Sequence, residues 1–282
     1  MSNVPVLNSV KAAWAFHRTY WREAPGALAL VAATSALVGS AEYWRPGAPI
    51  MALIMAAYVA AFIVAFGAMT RLAFADEHPD DPEFDLGPGG IQWGRTEWRL
   101  TRFAALVLFL SILAALMLVF VIMLIVAASG LGAALSPGST PEAVMEALGP
   151  GASGALAIAV LLFIGAAMFT WIRLFLAPTA TVAEKQLMVF QTWPLTRGQF
   201  WRIFAANLLV TVPPAIVAGI VGVAALAAVG VPVNSDEVPT LSIAAALAVS
   251  VLPGLIEGFL IVPLTVGLGA YLYRGLRPSG QD

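Results

Sequence analysis

Residues 103–128 read FAALVLFLSILAALMLVFVIMLIVAA, from Phe103 to Ala128, with no charged side chain in the run. A helix rises about 1.5 Å per residue, so this stretch is long enough to cross the ~30 Å hydrocarbon core of a bilayer. It is far too long for a strand, and its apolar residues surround the helix on every face. A β-barrel is excluded on the same ground, because barrel strands are short and alternate apolar with polar residues.

Working outward, five more runs of this kind appear. The six expected spans are 25–41, 49–72, 103–128, 151–176, 204–229 and 241–273. Pro25 suits the first helical position, where its missing N–H has no partner to lose. The whole chain agrees with the spans. Of 282 residues, 60% are hydrophobic and 11% charged, and the mean hydropathy is +0.90. A soluble domain carries about 25% charged residues. The composition excludes a soluble globule and a disordered chain, and no polar stretch is long enough for an extramembrane catalytic domain. Cysteine is absent, which excludes disulfides, thiolate metal sites and cysteine nucleophiles. The expected fold is all-α: a polytopic membrane helical bundle with six transmembrane helices over residues 25–277 and interfacial helices on the cytoplasmic side. A basic amphipathic helix precedes it in residues 1–24, and a tail, 278–282, follows.

The loops divide by charge. Lys11, Arg18 and Arg22 precede span one. Arg71, Arg95, Arg99 and Arg102 lie between spans two and three, and Arg173, Lys185, Arg197 and Arg202 between four and five. Arg274 and Arg277 follow span six, whereas the other side holds only Arg45 beside Glu42, Glu142, Glu146, Asp236 and Glu237. By the positive-inside rule both termini are cytoplasmic. Span one has a signal-peptide alternative, with Gly39-Ser40-Ala41 as the cleavage site; retention as an anchor is the expected reading.

Two segments read as lying at the membrane surface. From Leu7 to Trp21 the apolar Leu7, Val10, Trp14 and Trp21 fall at helical spacing, with Lys11, Arg18 and Arg22 on another stripe. Such a helix lies among anionic headgroups, or packs on the cytoplasmic end of the bundle. His17 is isolated and reads as structural. The second segment opens with Asp76-Glu77-His78-Pro79-Asp80-Asp81-Pro82-Glu83-Phe84-Asp85, whose spacing matches no calcium loop, so a solvated acidic loop is expected. After Gly87-Pro88-Gly89-Gly90 a helix restarts near Gln92, placing Arg95, Arg99 and Arg102 on one face. A weak repeat relates Arg71-Leu72-Ala73-Phe74-Ala75 and Trp98-Arg99 to Arg173-Leu174-Phe175-Leu176-Ala177 and Trp201-Arg202. Duplication and the ordinary preference of Arg and Trp for membrane boundaries both account for it.

From Arg173 the chain reads Arg173-Leu174-Phe175-Leu176-Ala177-Pro178. After a short polar helix come Trp193-Pro194-Leu195-Thr196-Arg197-Gly198-Gln199-Phe200-Trp201-Arg202. This segment resembles the membrane domain associated with glycerophosphoryl diester phosphodiesterases, and its stand-alone relatives. The ending Tyr271-Leu272-Tyr273-Arg274-Gly275-Leu276-Arg277 is also similar. The chain departs from that pattern at Pro194, where an ordinary helix former is usual, and at Thr192-Trp193, where Ser-Trp is frequent. The resemblance implies a six-span bundle with surface helices and a bacterial inner membrane. It does not imply hydrolysis, which in two-domain relatives belongs to a separate barrel using histidines, carboxylates and a divalent metal; only His17 and His78 exist here.

Glu257 is the sharpest single clue, set in Leu252-Pro253-Gly254-Leu255-Ile256-Glu257-Gly258-Phe259-Leu260-Ile261-Val262-Pro263. A charged side chain at the bilayer centre costs about 2.5–3.5 kcal/mol on insertion scales. One reading is a polar site between spans five and six, where Thr211-Val212-Pro213-Pro214 breaks span five and Asn207 lies nearer the cytoplasm; it would bind a proton, a cation or a lipid headgroup. The other is a packing role, with Gly254 and Gly258 as a small-xxx-small contact.

The expected function follows from these residues. No nucleophile–base pair, phosphate loop or metal-ligand spacing is present, so no enzyme activity, metal or cofactor is expected. The basic residues track the membrane surface and form no nucleic-acid patch. The reading is a non-enzymatic, multi-pass protein of the bacterial inner membrane, an accessory or scaffold subunit or lipid-interacting factor. Its partners are anionic lipid headgroups and a membrane protein or a second copy. Lys11, Trp14, Arg18, Trp21, Arg99, Arg173, Arg197, Trp201 and Arg202 are the candidate lipid- or partner-binding residues. The alternative is a small transporter or lipid-handling protein centred on Glu257 and Asn207.

Overall fold

The structure, a computed structural model, describes residues 4–129, 149–231 and 240–277. The loop carboxylates Glu142, Glu146, Asp236 and Glu237 and the tail 278–282 lie outside them. The described residues are 81% helical and contain no strand. The α-helices among the described residues are α1 (Val6–Tyr20), α2 (Pro25–Trp44), α3 (Ala48–Phe74), α4 (Arg95–Ala128), α5 (Gly149–Leu174), α6 (Ala177–Ala183), α7 (Phe200–Ala228), α8 (Ile243–Ile256) and α9 (Val262–Leu276). One π-helical turn, Glu257–Ile261, joins α8 to α9. Six helical segments among the described residues are long and apolar enough to cross a membrane, the sixth being α8, the π turn and α9 together. The all-α membrane bundle is therefore the observed class.

The chain divides into two compact units, residues 102–173 and the remainder. In the first, α4 beyond Arg102 and α5 expose Leu108, Leu116, Met117, Phe120, Leu161 and Leu162. Apolar side chains held outward on a helix match a hydrocarbon solvent.

In the second unit, α2 runs antiparallel to α8. At one end Leu241 N–H donates to the Tyr43 carbonyl at 3.2 Å, and at the other Gly254 and Gly258 lie against Ala32, Ala36 and Leu28. Between lipid-facing helices apolar burial supplies no attraction, so close backbone approach and polar contacts must hold the pair. A Cβ on Gly254 would stand 2.5 Å from the Ala32 carbonyl oxygen, and one on Gly258 2.5 Å from that of Leu28. The seam needs both glycines. Local signals fix the ends: Ser242 caps α8 by accepting from Ala245 N–H at 3.3 Å, and Arg45 ends α2 in the left-handed region at φ 48°.

Burial in this unit concentrates towards the basic end. Along α3, nearly every residue from Ala61 to Phe74 is buried, whereas most of those from Ala48 to Ala60 are not. The C-terminal part of α3, α9, α1 and the short α6 enclose Met69, Phe74, Leu176, Leu264, Leu268 and Leu272. The expected N-terminal helix is present as α1, but its buried side chains are Ser9 and Ala13. The stripe of Leu7, Val10, Trp14 and Trp21 is not the packed face, and Leu7 is 70% exposed. Small residues let α1 come closer to α9 than the bulky stripe would, and Phe16 fits over Gly267.

Candidate functional site

Two polar constellations stand out, one within the spans and one at their basic end. The first begins with the prolines of the last span. Pro263 has no N–H, so the Phe259 carbonyl four residues earlier lacks its helical donor. The chain takes a π turn here, with Val262 N–H donating to the Glu257 carbonyl, and His17 Nε2 donates to the Phe259 oxygen at 3.0 Å. A carbonyl can only accept, so the neutral ring carries its proton on Nε2. Burial holds this imidazole below its ordinary pKa; the hydrogen bond to Phe259 opposes the shift and the charge of Arg18 adds to it. His17 is thus structural, as its isolation in sequence indicates.

The π turn aims Glu257 at two other helices. Its Oε1 accepts from Tyr58 OH of α3 at 2.5 Å, and its Oε2 accepts from Ser35 Oγ of α2. This joins spans one, two and six. The expected site between spans five and six is corrected accordingly. Asn207 makes no hydrogen bond to Glu257; its backbone carbonyl accepts from Thr211 Oγ1 at 2.8 Å. Helix α7 runs unbroken through Pro213 and Pro214. Prolines are tolerated in spans where neighbouring groups satisfy the freed carbonyls. Ser35 and Tyr58 were not among the sequence candidates. Tyr58, a polar tip inside the apolar run of α3, is the signal that was available.

The second constellation is a belt of ion pairs. Arg71 Nη1 donates to Glu97 Oε1 at 2.7 Å, with the two side chains 1% and 0% exposed. Glu97 Oε2 also accepts from Gly94 N–H at 2.7 Å, the reach-back of a capping box at the start of α4. Around this pair the acidic segment folds onto basic residues from distant helices. Glu83 takes Arg99 and Thr96, Asp81 takes Lys185, and Glu77 takes Arg274 at 2.5 Å and Arg277 at 2.7 Å. Tyr273 OH donates to Glu184 at 2.5 Å. The expected solvated acidic loop is therefore corrected: Asp76, Asp80 and Asp85 are exposed, but Glu77, Asp81 and Glu83 are engaged. Among the described residues, no three His, Cys, Asp or Glu side chains come together to hold a metal ion.

The candidate surface residues separate into two groups. Lys11, Arg18, Arg197, Trp201 and Arg202 are exposed, Trp201 by 71%, and its ring meets Phe200 and Phe204 edge-on. Trp14 and Trp21 are half-buried, and the Arg22 guanidinium lies 5.0 Å from the Trp21 ring centre. Arg99 is turned to Glu83, and Arg173 sits 5.0 Å over the Phe169 ring, so neither is presented outward as expected. Arg95 and Trp98 take the outward place on α4, where Trp98 meets Trp93 at 5.8 Å.

No protein-family model matches the chain, and no curated protein or solved structure is similar to it. The resemblance rests on the residues that carry it, 173–204 and 271–277, alone.

Proposed function

We propose that this chain is a non-enzymatic integral protein of a bacterial inner membrane that engages anionic lipid headgroups at its cytoplasmic end, as an accessory or scaffold subunit. The supporting observation is the cluster at the start of α7. Trp201 is 71% exposed between Arg197 and Arg202, and among the described residues neither arginine pairs with a carboxylate. Tryptophan prefers the interface, and each arginine near an anionic surface contributes about 1 kcal/mol. The acidic side chains that would oppose such a surface are partly spent on the internal belt of Glu77, Asp81, Glu83 and Glu97.

Hydroxyls spent on backbone carbonyls support a non-enzymatic reading. Ser111 and Ser250 donate to the Val107 and Ala246 carbonyls of their own helices. Glu257 fits packing better than ion coupling, since both its oxygens already accept bonds that tie three spans together.

Thermal unfolding in nanodiscs tests the reading. Discs of phosphatidylcholine with one-fifth phosphatidylglycerol raise the Tm of the native chain above that in pure phosphatidylcholine, because a ligand of the folded state stabilises it. Arg197→Gln with Arg202→Gln removes most of that increment. Equal Tm values in the two lipids contradict the proposal.

A further inference from the structure

Beside the π turn lies an open groove of about 410 Å³. Trp21 and His17 form one wall, Val221 of α7 another, and Leu252, Leu255 and Phe259 the third. We propose that this groove is the acyl-chain slot of a discrete anionic-phospholipid site, whose phosphate is held by Arg18 and Arg22. The headgroup chemistry rests on the lipid-engaging reading above; the location is separate from the Arg197–Trp201–Arg202 cluster.

Three observations carry it. The groove lies beside two apolar candidate spans, α7 and the segment of α8, the π turn and α9, so the medium it opens to is lipid hydrocarbon. Its lining is almost wholly apolar, and water gains no partners in such a place. An empty slot would instead forfeit dispersion contacts along every wall.

The walls are also fixed before any ligand arrives. His17 is tied to the Phe259 carbonyl at 3.0 Å, and Trp21 meets the Phe259 ring edge-on at 6.4 Å. The bond that Pro263 leaves unmade in the last span is thus the one that pins the end of α1 to it. A preformed slot loses little ordering entropy on binding.

Finally, charge lies at one side of the slot. The Arg22 guanidinium rests on the Trp21 ring at 5.0 Å, and Arg18 stands one turn earlier, close enough for its charge to act on His17. Both arginines are exposed and neither meets a carboxylate among the described residues. A phospholipid supplies an apolar chain and a phosphate in one molecule. A helix from another protein would have to bring its own carboxylates to the same two positions.

The test counts lipid. The full chain is reconstituted in nanodiscs of four parts phosphatidylcholine to one part phosphatidylglycerol, released gently and weighed intact by native mass spectrometry. One phosphatidylglycerol per chain is expected to remain. Arg18→Gln with Arg22→Gln lowers that population about thirtyfold, each cation near the surface being worth about fivefold. Leu255→Trp fills the slot and also loses the lipid; if that variant does not assemble, Val221→Phe fills it from the opposite wall. Arg197→Gln with Arg202→Gln keeps this lipid bound, so failure here and failure of the surface cluster are read separately. Retention of phosphatidylglycerol by the filled-slot variant, or equal retention of both lipids by the native chain, overturns the site. So does a second protein chain that stays bound natively and leaves when the slot is filled.

Discussion

Replacing Gly258 by alanine puts a methyl group where the structure has the backbone of a neighbouring helix. The new Cβ would lie 2.5 Å from the Leu28 carbonyl oxygen, 2.9 Å from Ala32 N and 3.0 Å from Ala32 Cβ. Those first two atoms are successive partners in the backbone ladder of α2, so neither yields without the helix. Ordinary contact begins near 3.4 Å, which means α2 retreats by about 0.9 Å at this point. Overpacking of this kind costs about 1–3 kcal/mol. The retreat also draws Ser35 from Glu257, and polar contacts between spans average about 0.6 kcal/mol, reaching about 1.7. The expected loss is therefore about 2–4 kcal/mol, read by reversible unfolding in mixed micelles. Gly222→Ala is the control, because its Cβ would meet only the Pro253 ring, at 3.6 Å. Ser35→Ala placed on Gly258→Ala should cost less than Ser35→Ala alone, since the bond is already weakened. A Gly258→Ala protein within about 0.5 kcal/mol of native, or full additivity with Ser35→Ala, would refute the close seam and its coupling to Glu257.

Three further perturbations address the rest of the structure. Glu97→Ala leaves Arg71 buried without its charge partner and should cost about 3–5 kcal/mol, whereas Arg71→Met with Glu97→Leu should come close to native; a harmless Glu97→Ala would contradict the buried pair. Glu77→Gln releases Arg274 and Arg277 from a half-exposed contact, so global stability changes by less than about 1 kcal/mol while amide exchange near the end of α9 accelerates; unchanged exchange there counts against the contact. His17 binds fewer protons folded than unfolded, because its pKa is lowered, so its contribution is complete above about pH 6.5 and is lost as pH falls below that value through the lowered pKa. His17→Gln retains a donor for Phe259 without titrating, and its stability should be flatter across that window than the native protein's; identical pH profiles would show that His17 is not the group responsible.

The six spans could be read from sequence because length and the absence of charge decide them without reference to any neighbour. Glu257 was also conspicuous, since a carboxylate inside a span carries its cost wherever the partners are. Its partners were not legible. Ser35 and Tyr58 lie about 200 residues away, and helical phase says which face a residue occupies but not which helix it meets. The acidic segment failed for the same reason: its cations come from residues 99, 185, 274 and 277. In α1 close packing selects the small Ser9 and Ala13 and leaves the large Leu7 outward, a choice set by the neighbouring helix. Pro213 and Pro214 suggested a break, but an unbroken helix accommodates them. The two Trp-Arg pairs, Trp98-Arg99 and Trp201-Arg202, differ in their surroundings: Glu97 precedes the first and is the buried acid, while Phe200 precedes the second and Arg202 is outward.

The proposed contact between Trp201 and anionic lipid is tested directly by fluorescence quenching with lipids brominated near the headgroup. The difference between the native protein and Trp201→Phe isolates one indole among the eight tryptophans. Brominated phosphatidylglycerol, at one-fifth of the lipid, should quench that difference signal more strongly than the same fraction of brominated phosphatidylcholine. Equal quenching by the two lipids, or none by either, would contradict the claim that the Arg197–Trp201–Arg202 cluster engages anionic headgroups.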